Sequence, residues 1–171
     1  IRIIDDVPSA ANDGPATVTE DGAGEANTVT TSTVSGDVLT NDSTGADAPP
    51  VFTAWAAGNA ANIAALNTYG TLTLNPDGTW SYVLDNSLAA TQALTSGSTL
   101  SYDLNYTMKD ADGDPSSAKL TIVIQGADDG SSVVTAATTG PDATVYEHGL
   151  TSVQDATETT TGSFTISATD G

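Results

Sequence analysis

The chain has 171 residues, 22 acidic and 3 basic side chains, a formal charge of −19 and an isoelectric point near 4.1. Such a surface excludes electrostatic binding to nucleic acid or to anionic membrane, since both would repel it, and it favours cations instead. Hydrophobic residues at 38% still allow the core of one ordinary domain plus a remainder.

Residues 1–8 read as a linker from a preceding module, and they carry no basic stretch or signal-peptide pattern. The chain begins and ends in mid-phrase, as a fragment of a longer array would. A phrase from Gly14 to Gly22 (Gly-Pro-Ala-Thr-Val-Thr-Glu-Asp-Gly) returns from Pro141 to Gly149, with Thr17 and Thr144 separated by 127 positions. That spacing is a domain period, not a solenoid period. Ala60 to Leu66 and Leu88 to Leu94 are the only stretches with helical character, each enough for a single turn.

Tyr69 to Leu74 alternates Leu with Thr, Asn75-Pro76-Asp77-Gly78 interrupts, and Thr79 to Leu84 alternates again. Two period-2 runs around an Asp-Gly turn predict a β-hairpin, with Leu72, Leu74, Trp80, Tyr82 and Leu84 on one face. Leu100 to Met108 and Ala118 to Ile124 form a second alternating pair around Lys109-Asp110-Ala111-Asp112-Gly113-Asp114-Pro115. Short strands divided by turn clusters predict an all-β chain, an antiparallel β-sandwich. The boundaries follow: residues 1–8 linker, 9–127 a complete sandwich module, 128–130 an acidic linker, and 131–171 the opening strands of a following module.

Asp supplies 18 of the 22 carboxylates. Asp prefers turns to helix interiors, so the acids belong in loops, where short carboxylates grip hard cations. The strongest local pattern is Asp110, Asp112 and Asp114, carboxylates at alternate positions with Gly113 allowing a tight turn. Neighbouring carboxylates about 6 Å apart repel by roughly 3 kcal/mol per pair at an effective dielectric near 20, which a calcium ion would relieve. The plain alternative is a solvated turn. An EF-hand is excluded by the absent twelfth-position Glu and flanking helices.

If the last strand runs toward the C-terminal linker, the Asp110–Asp114 loop lies at the N-terminal pole. It then joins Asp5, Asp6, Asn12 and Asp13 as candidate calcium ligands. Asp128 and Asp129 are candidates at the opposite pole, Glu20 on the first strand reaches either pole or points to solvent, and Glu147, its counterpart in the repeated phrase, is a candidate ligand as well. A cation at such junctions would set the angle between successive modules. Zero Cys argues against disulfides and thiolate metal sites.

The run from Gly70 to Asn86, continued through Tyr106 to Asp114 and Leu120 to Gly126, resembles the VCBS repeat. Ser35 to Asp42 (Ser-Gly-Asp-Val-Leu-Thr-Asn-Asp) resembles a phrase of cadherin-like bacterial modules. The resemblance spans about residues 5–130 and is weakest over the insert Val51 to Leu66. It implies tandem Ig-like or cadherin-like modules in giant RTX-type surface adhesins of bacteria, associated with biofilms. These are extracellular, bind calcium at module junctions, and hold a distal ligand-binding domain away from the cell. Neighbouring modules of the same chain are then the expected partners.

Other chemistry is sparsely represented. His148 is the only histidine, so neither a His-based triad nor a multi-His zinc site forms, and the chain reads as a non-enzyme. Trp80 and Tyr82 belong to the core. Trp55, beside a Gly/Ala/Asn loop, is the expected exposed aromatic and the candidate contact for a glycan or protein ligand. Two functions therefore compete: a calcium-stiffened structural extender, or an adhesin module binding glycan or protein near Trp55 or along an exposed strand edge.

Overall fold

Strict alternation builds the long strands. A computed structural model describes residues 6–22 and 32–129, together with two short strands, Ser132–Val134 and Thr165–Ser167. Among these, β1 spans Asp13–Thr19, β2 Thr33–Asp37, β3 Val51–Trp55, β4 Gly70–Leu74, β5 Thr79–Leu84, β6 Thr99–Lys109 and β7 Pro115–Gln125. Along β6, Leu104, Tyr106 and Met108 are buried and their odd-numbered neighbours face outward; along β7, Leu120, Ile122 and Ile124 do the same. Two sheets result, one with strand order β1-β7-β6-β3 and one with β2-β5-β4. Their inner faces meet in one core of Val18, Val38, Leu66, Trp80, Tyr82, Leu84, Leu94, Leu104, Tyr106, Leu120, Ile122 and Ile124. Each large side chain enclosed there contributes about 1.5–3 kcal/mol. The all-β sandwich expected from the alternation is the fold observed.

The predicted hairpin pairs as expected, with Leu72 opposite Tyr82 and Leu74 opposite Trp80. Its turn depends on Gly78, whose φ of 92° lies in the region that favours glycine. Asp77 locks the turn, its Oδ1 accepting from both the N–H and the hydroxyl of Thr79.

Two features depart from expectation. The sandwich is not antiparallel throughout, because β1 runs parallel to β7, from Asp13 opposite Leu120 to Thr19 opposite Gln125. The first strand thus joins the sheet alongside the last, leaving the incoming and outgoing chain ends at opposite poles. Second, the insert holds a helix of nearly three turns, α1 (Ala60–Tyr69), where a single turn was expected. The second helix, α2 (Ala89–Gln92), is the single turn anticipated.

Alanines give α1 its helical propensity, yet Leu66 is its only buried residue. Asparagines dock it. Strand β3 pairs with β6 from Tyr106 to Lys109, and Ala56 N–H, just past β3, adds one further main-chain bond to Asn105 O at 2.9 Å. Beyond that point Asn59, in the 3₁₀ turn before α1, accepts from Asn105 N–H through Oδ1 at 2.9 Å and donates from Nδ2 to Asn105 O at 2.8 Å. Asn62 Nδ2 donates to Asp103 O at 2.7 Å. On the other sheet, Asn67 Oδ1 accepts from Leu72 N–H at 3.0 Å. Side-chain amides therefore stand where a neighbouring strand would supply main-chain partners.

At the C-terminal pole, Asp128 accepts from Ser96 N–H and Ser96 Oγ, both at 2.8 Å. Gly126 N–H donates to Ser98 O, and a Cβ added at Gly126 would lie 2.4 Å from Thr95 O. The outgoing segment is held against the Thr95–Ser98 turn by these contacts. No helix among the described residues is long and apolar enough to cross a membrane.

The chain divides into two units, Ile1–Asp129 and Gly130–Thr169. In the second, β8 (Ser132–Val134) and β9 (Thr165–Ser167) pair antiparallel, with Val133 opposite Ile166.

Candidate metal centre

The hairpin connection between β6 and β7 brings the acidic loop to the pole where β1 begins. Asp110 shapes this loop. Its Oδ1 accepts from Gly113 N–H at 2.9 Å and Asp114 N–H at 2.7 Å, and its own N–H donates to Asp114 O at 3.2 Å. Ala111 N–H donates to Asp47 O at 3.1 Å, stitching the loop after β2 to this turn. Carboxylate oxygens of Asp47, Asp110 and Asp112 thereby come within 4.8 Å of one another.

Asp110 is only 1% exposed, and its Oδ2 is buried without a hydrogen-bond partner within the protein. Burial alone would raise its pKa, but the Asp112 side chain and the N–H groups of Asp114 and Gly113 outweigh burial and hold it below the usual value. The carboxyl is thus kept charged in a place where one of its oxygens has nothing to bind. A buried anionic oxygen flanked by two more carboxylates suits a hard cation with oxygen ligands, as calcium is.

The predicted ligands separate into several groups. Asp110 and Asp112 belong to the cluster. Asp114 contributes backbone groups to the loop, and its carboxylate is not one of the three that converge. Asp6 lies alongside: its Oδ2 accepts from Ala46 N–H at 2.9 Å, next to Asp47. Asn12 serves the sheet edge, its Oδ1 accepting from Lys119 N–H and its carbonyl from Asn41 Nδ2. Asp13 faces Tyr106 and Asp42, where burial, with smaller contributions from Asp42 and Asp37, pushes its carboxyl up to about 6 despite the lowering effect of the Tyr106 hydroxyl.

Glu20 and Asp128 lie at the opposite pole. Glu20 is buried, its Oε2 accepting from Ala127 N–H at 3.0 Å. Asp128 is engaged with Ser96, whose N–H and hydroxyl hold its carboxyl below the usual value. Asp129 is half-buried after it. Asp5 and Glu147 lie outside the described residues.

Asp47 was missed from sequence because it stands alone, 63 positions before Asp110. The signal for it is topological: the loop that follows β2 ends at the same pole as the β6–β7 turn.

Trp55 is not the exposed aromatic expected. Its Nε1 donates to Asn75 O at 3.0 Å, and its ring lies 5.3 Å from Phe52 and 6.1 Å from Tyr106 between centroids. It is half-buried in an aromatic cluster because β3 turns it inward beside Phe52 and Tyr106.

At the centre of that pole, Tyr106 Oη has one proton and, besides the Asp13 carboxyl, these oxygen neighbours: Ala11 O at 3.0 Å, Val38 O at 3.1 Å, and Asp42 Oδ1 and Oδ2 at 3.1 and 3.2 Å. Burial raises the Asp42 pKa, against the lowering effect of Ala11 N–H and Tyr106. This hydroxyl joins the incoming segment, the end of β2 and β6 at one point.

A family model described as a bacterial cadherin-like domain matches residues 5–126. No curated protein matches the chain.

Proposed function

The chain belongs to the bacterial cadherin-like domain family, and from that membership we propose that it is an extracellular spacer module of a bacterial surface adhesin, stiffened by calcium. The RTX-type context and the tandem array, with residues 9–127 as one module and neighbouring modules as partners, rest on the sequence resemblance. The observation that carries the calcium reading is the buried, unpartnered Oδ2 of Asp110 beside Asp47 and Asp112.

Asp47, Asp110 and Asp112 would hold the ion, which supplies positive charge where three carboxylates otherwise repel one another. Asp47 comes from the loop after β2 and the other two from the β6–β7 turn, so a shared ion ties those loops together. Asp6, bonded to Ala46, extends the same connection to the incoming segment. Binding of this kind stabilises the folded state by about 1.4 kcal/mol at a free calcium concentration ten times Kd. Extracellular modules commonly bind calcium at roughly 10⁻⁴ to 10⁻³ M, so the outside of a cell saturates them and cytosol does not.

Calorimetric titration of calcium into the 171-residue chain tests the reading. Saturable binding in that range is expected, with a higher melting temperature, both abolished by Asp110→Asn. No heat and no change in melting up to about 10 mM calcium, well above the weakest extracellular sites, would remove calcium from the function.

A further inference from the structure

The outer face of the four-stranded sheet carries a cavity of about 510 Å³. Small side chains make its floor: Thr107 stands opposite Ser117 across the β6–β7 pair, their hydroxyls 2.9 Å apart, with Ala56 beside them. Longer side chains make its walls. Asn105 lies opposite Lys119, and Asn12 closes the β7 side, where its Oδ1 accepts from Lys119 N–H. The depth thus comes from the period-two pattern of β6 and β7, which sets small outward residues next to long ones.

The lining holds uncommitted hydrogen-bonding groups. Asn105 engages Asn59 and Ala56 through its main chain, and its side-chain amide has no partner among the described residues. Asn12 commits Oδ1 but not Nδ2. Lys119 gives one of its three ammonium protons to Asp103 Oδ2 at 2.7 Å. The Thr107–Ser117 pair shares one hydroxyl proton and keeps the other to donate.

We propose that this cavity binds a neutral saccharide, held by the Asn105 and Asn12 amides, the Thr107 and Ser117 hydroxyls and the Lys119 ammonium. Its volume falls in the range of small-ligand sites, roughly 300–1,000 Å³. No carboxylate is among its lining residues, so a hard cation finds no anionic ligand. An anion would meet a lysine already neutralised by Asp103, on a chain of formal charge −19. An apolar ligand would find no large exposed apolar side chain, because Tyr106, the one aromatic of the lining, is buried. An extended peptide cannot add as a strand, since β7 and β3 already flank β6 from Tyr106 to Lys109. What the lining offers is amide, hydroxyl and ammonium donors interleaved with amide and hydroxyl acceptors. That set suits a ligand whose own groups both donate and accept, as the hydroxyls around a sugar ring do. With no aromatic face to stack on, the expected affinity is weak, with Kd on the order of 1 mM. None of these residues belongs to the Asp47–Asp110–Asp112 cluster, so the site stands or falls apart from calcium binding.

Two-dimensional ¹H–¹⁵N NMR of the full chain reads the site directly through its asparagine amides. The chain is titrated with glucose, galactose, mannose and N-acetylglucosamine, and with glucuronate as the anionic comparison. At least one neutral sugar is expected to give saturable shifts in the Asn12 and Asn105 side-chain amides and in the Thr107, Ser117 and Lys119 N–H groups. Asn105→Ala, which alters an exposed side chain and keeps the main-chain bonds, is expected to weaken that binding about tenfold. Ser117→Leu, which fills the floor, is expected to abolish it. No shift at these groups up to about 50 mM of any neutral sugar overturns the proposal. So do shifts centred on another surface, shifts that arise with glucuronate alone, or an affinity that Asn105→Ala leaves unchanged. If Ser117→Leu loses the dispersed spectrum of a folded chain, Thr107→Val takes its place, and it must weaken the binding for the site to stand.

Discussion

Replacing Asp13 with Asn should make the protein more stable at neutral pH and leave it nearly unchanged in acid. In the folded state the Asp13 carboxyl is raised from 3.8 to about 6, chiefly by burial, with Asp42 and Asp37 adding repulsion and Tyr106 partly offsetting both. A raised folded pKa means that the folded state holds the proton more tightly than the unfolded chain does. The corresponding stability is present in full below about 3.8, fades as pH rises, and is gone above about 6. Taken whole, a shift of that size corresponds to about 3 kcal/mol. Solvent reaches the half-buried side chain and screens it, so about 1 kcal/mol is the reasonable expectation. Urea unfolding of wild type and Asp13→Asn in calcium-free buffer from pH 4 to 8 measures it. Wild type should lose about 1 kcal/mol relative to the variant across that window, and the gap should persist above it. Parallel pH profiles for the two proteins would refute the assignment of the strain to Asp13.

Three further outcomes follow from the geometry. Tyr106→Phe leaves the Ala11 and Val38 carbonyls and the Asp42 carboxylate without their shared donor, and should cost about 1–3 kcal/mol in urea unfolding; a loss below the error of the extrapolation contradicts the hub. Gly126→Ala drives a Cβ against Thr95 O and Leu94, and should destabilise by about 1–3 kcal/mol, read as a lower urea midpoint at unchanged slope; an unchanged midpoint means the outgoing segment is not held there. Asp47→Asn should weaken calcium binding far more than Asp114→Asn, and equal losses in calorimetry would return the ligand set to the loop sequence alone.

The fold was legible where one face of a strand is buried. Leu72, Leu74, Trp80, Tyr82 and Leu84 announce their face because burial on one side imposes a period of two. Helix α1 was not legible at its full length, since it buries one residue and docks through Asn59, Asn62 and Asn67. Asparagines serving as main-chain partners for sheet edges look, in sequence, like an ordinary polar loop. The acidic turn was visible in Asp110 and Asp112, because short-range spacing is written into adjacent residues. Asp47 joins them only through the chain path, which no local spacing records. Trp55 misled for a related reason: its sequence neighbours are small and polar, while its spatial neighbours are Phe52 and Tyr106.

The parallel pairing of β1 with β7 also determines how the domain bears load. Tension applied at the incoming end of β1 and the outgoing end of β7 acts along the strands, in opposite directions. The rungs from Asp13–Leu120 to Thr19–Gln125 are then loaded together in shear rather than opened one at a time from an end. Unfolding from that geometry requires several main-chain bonds to fail at once, the behaviour expected of a tether rather than a zipper.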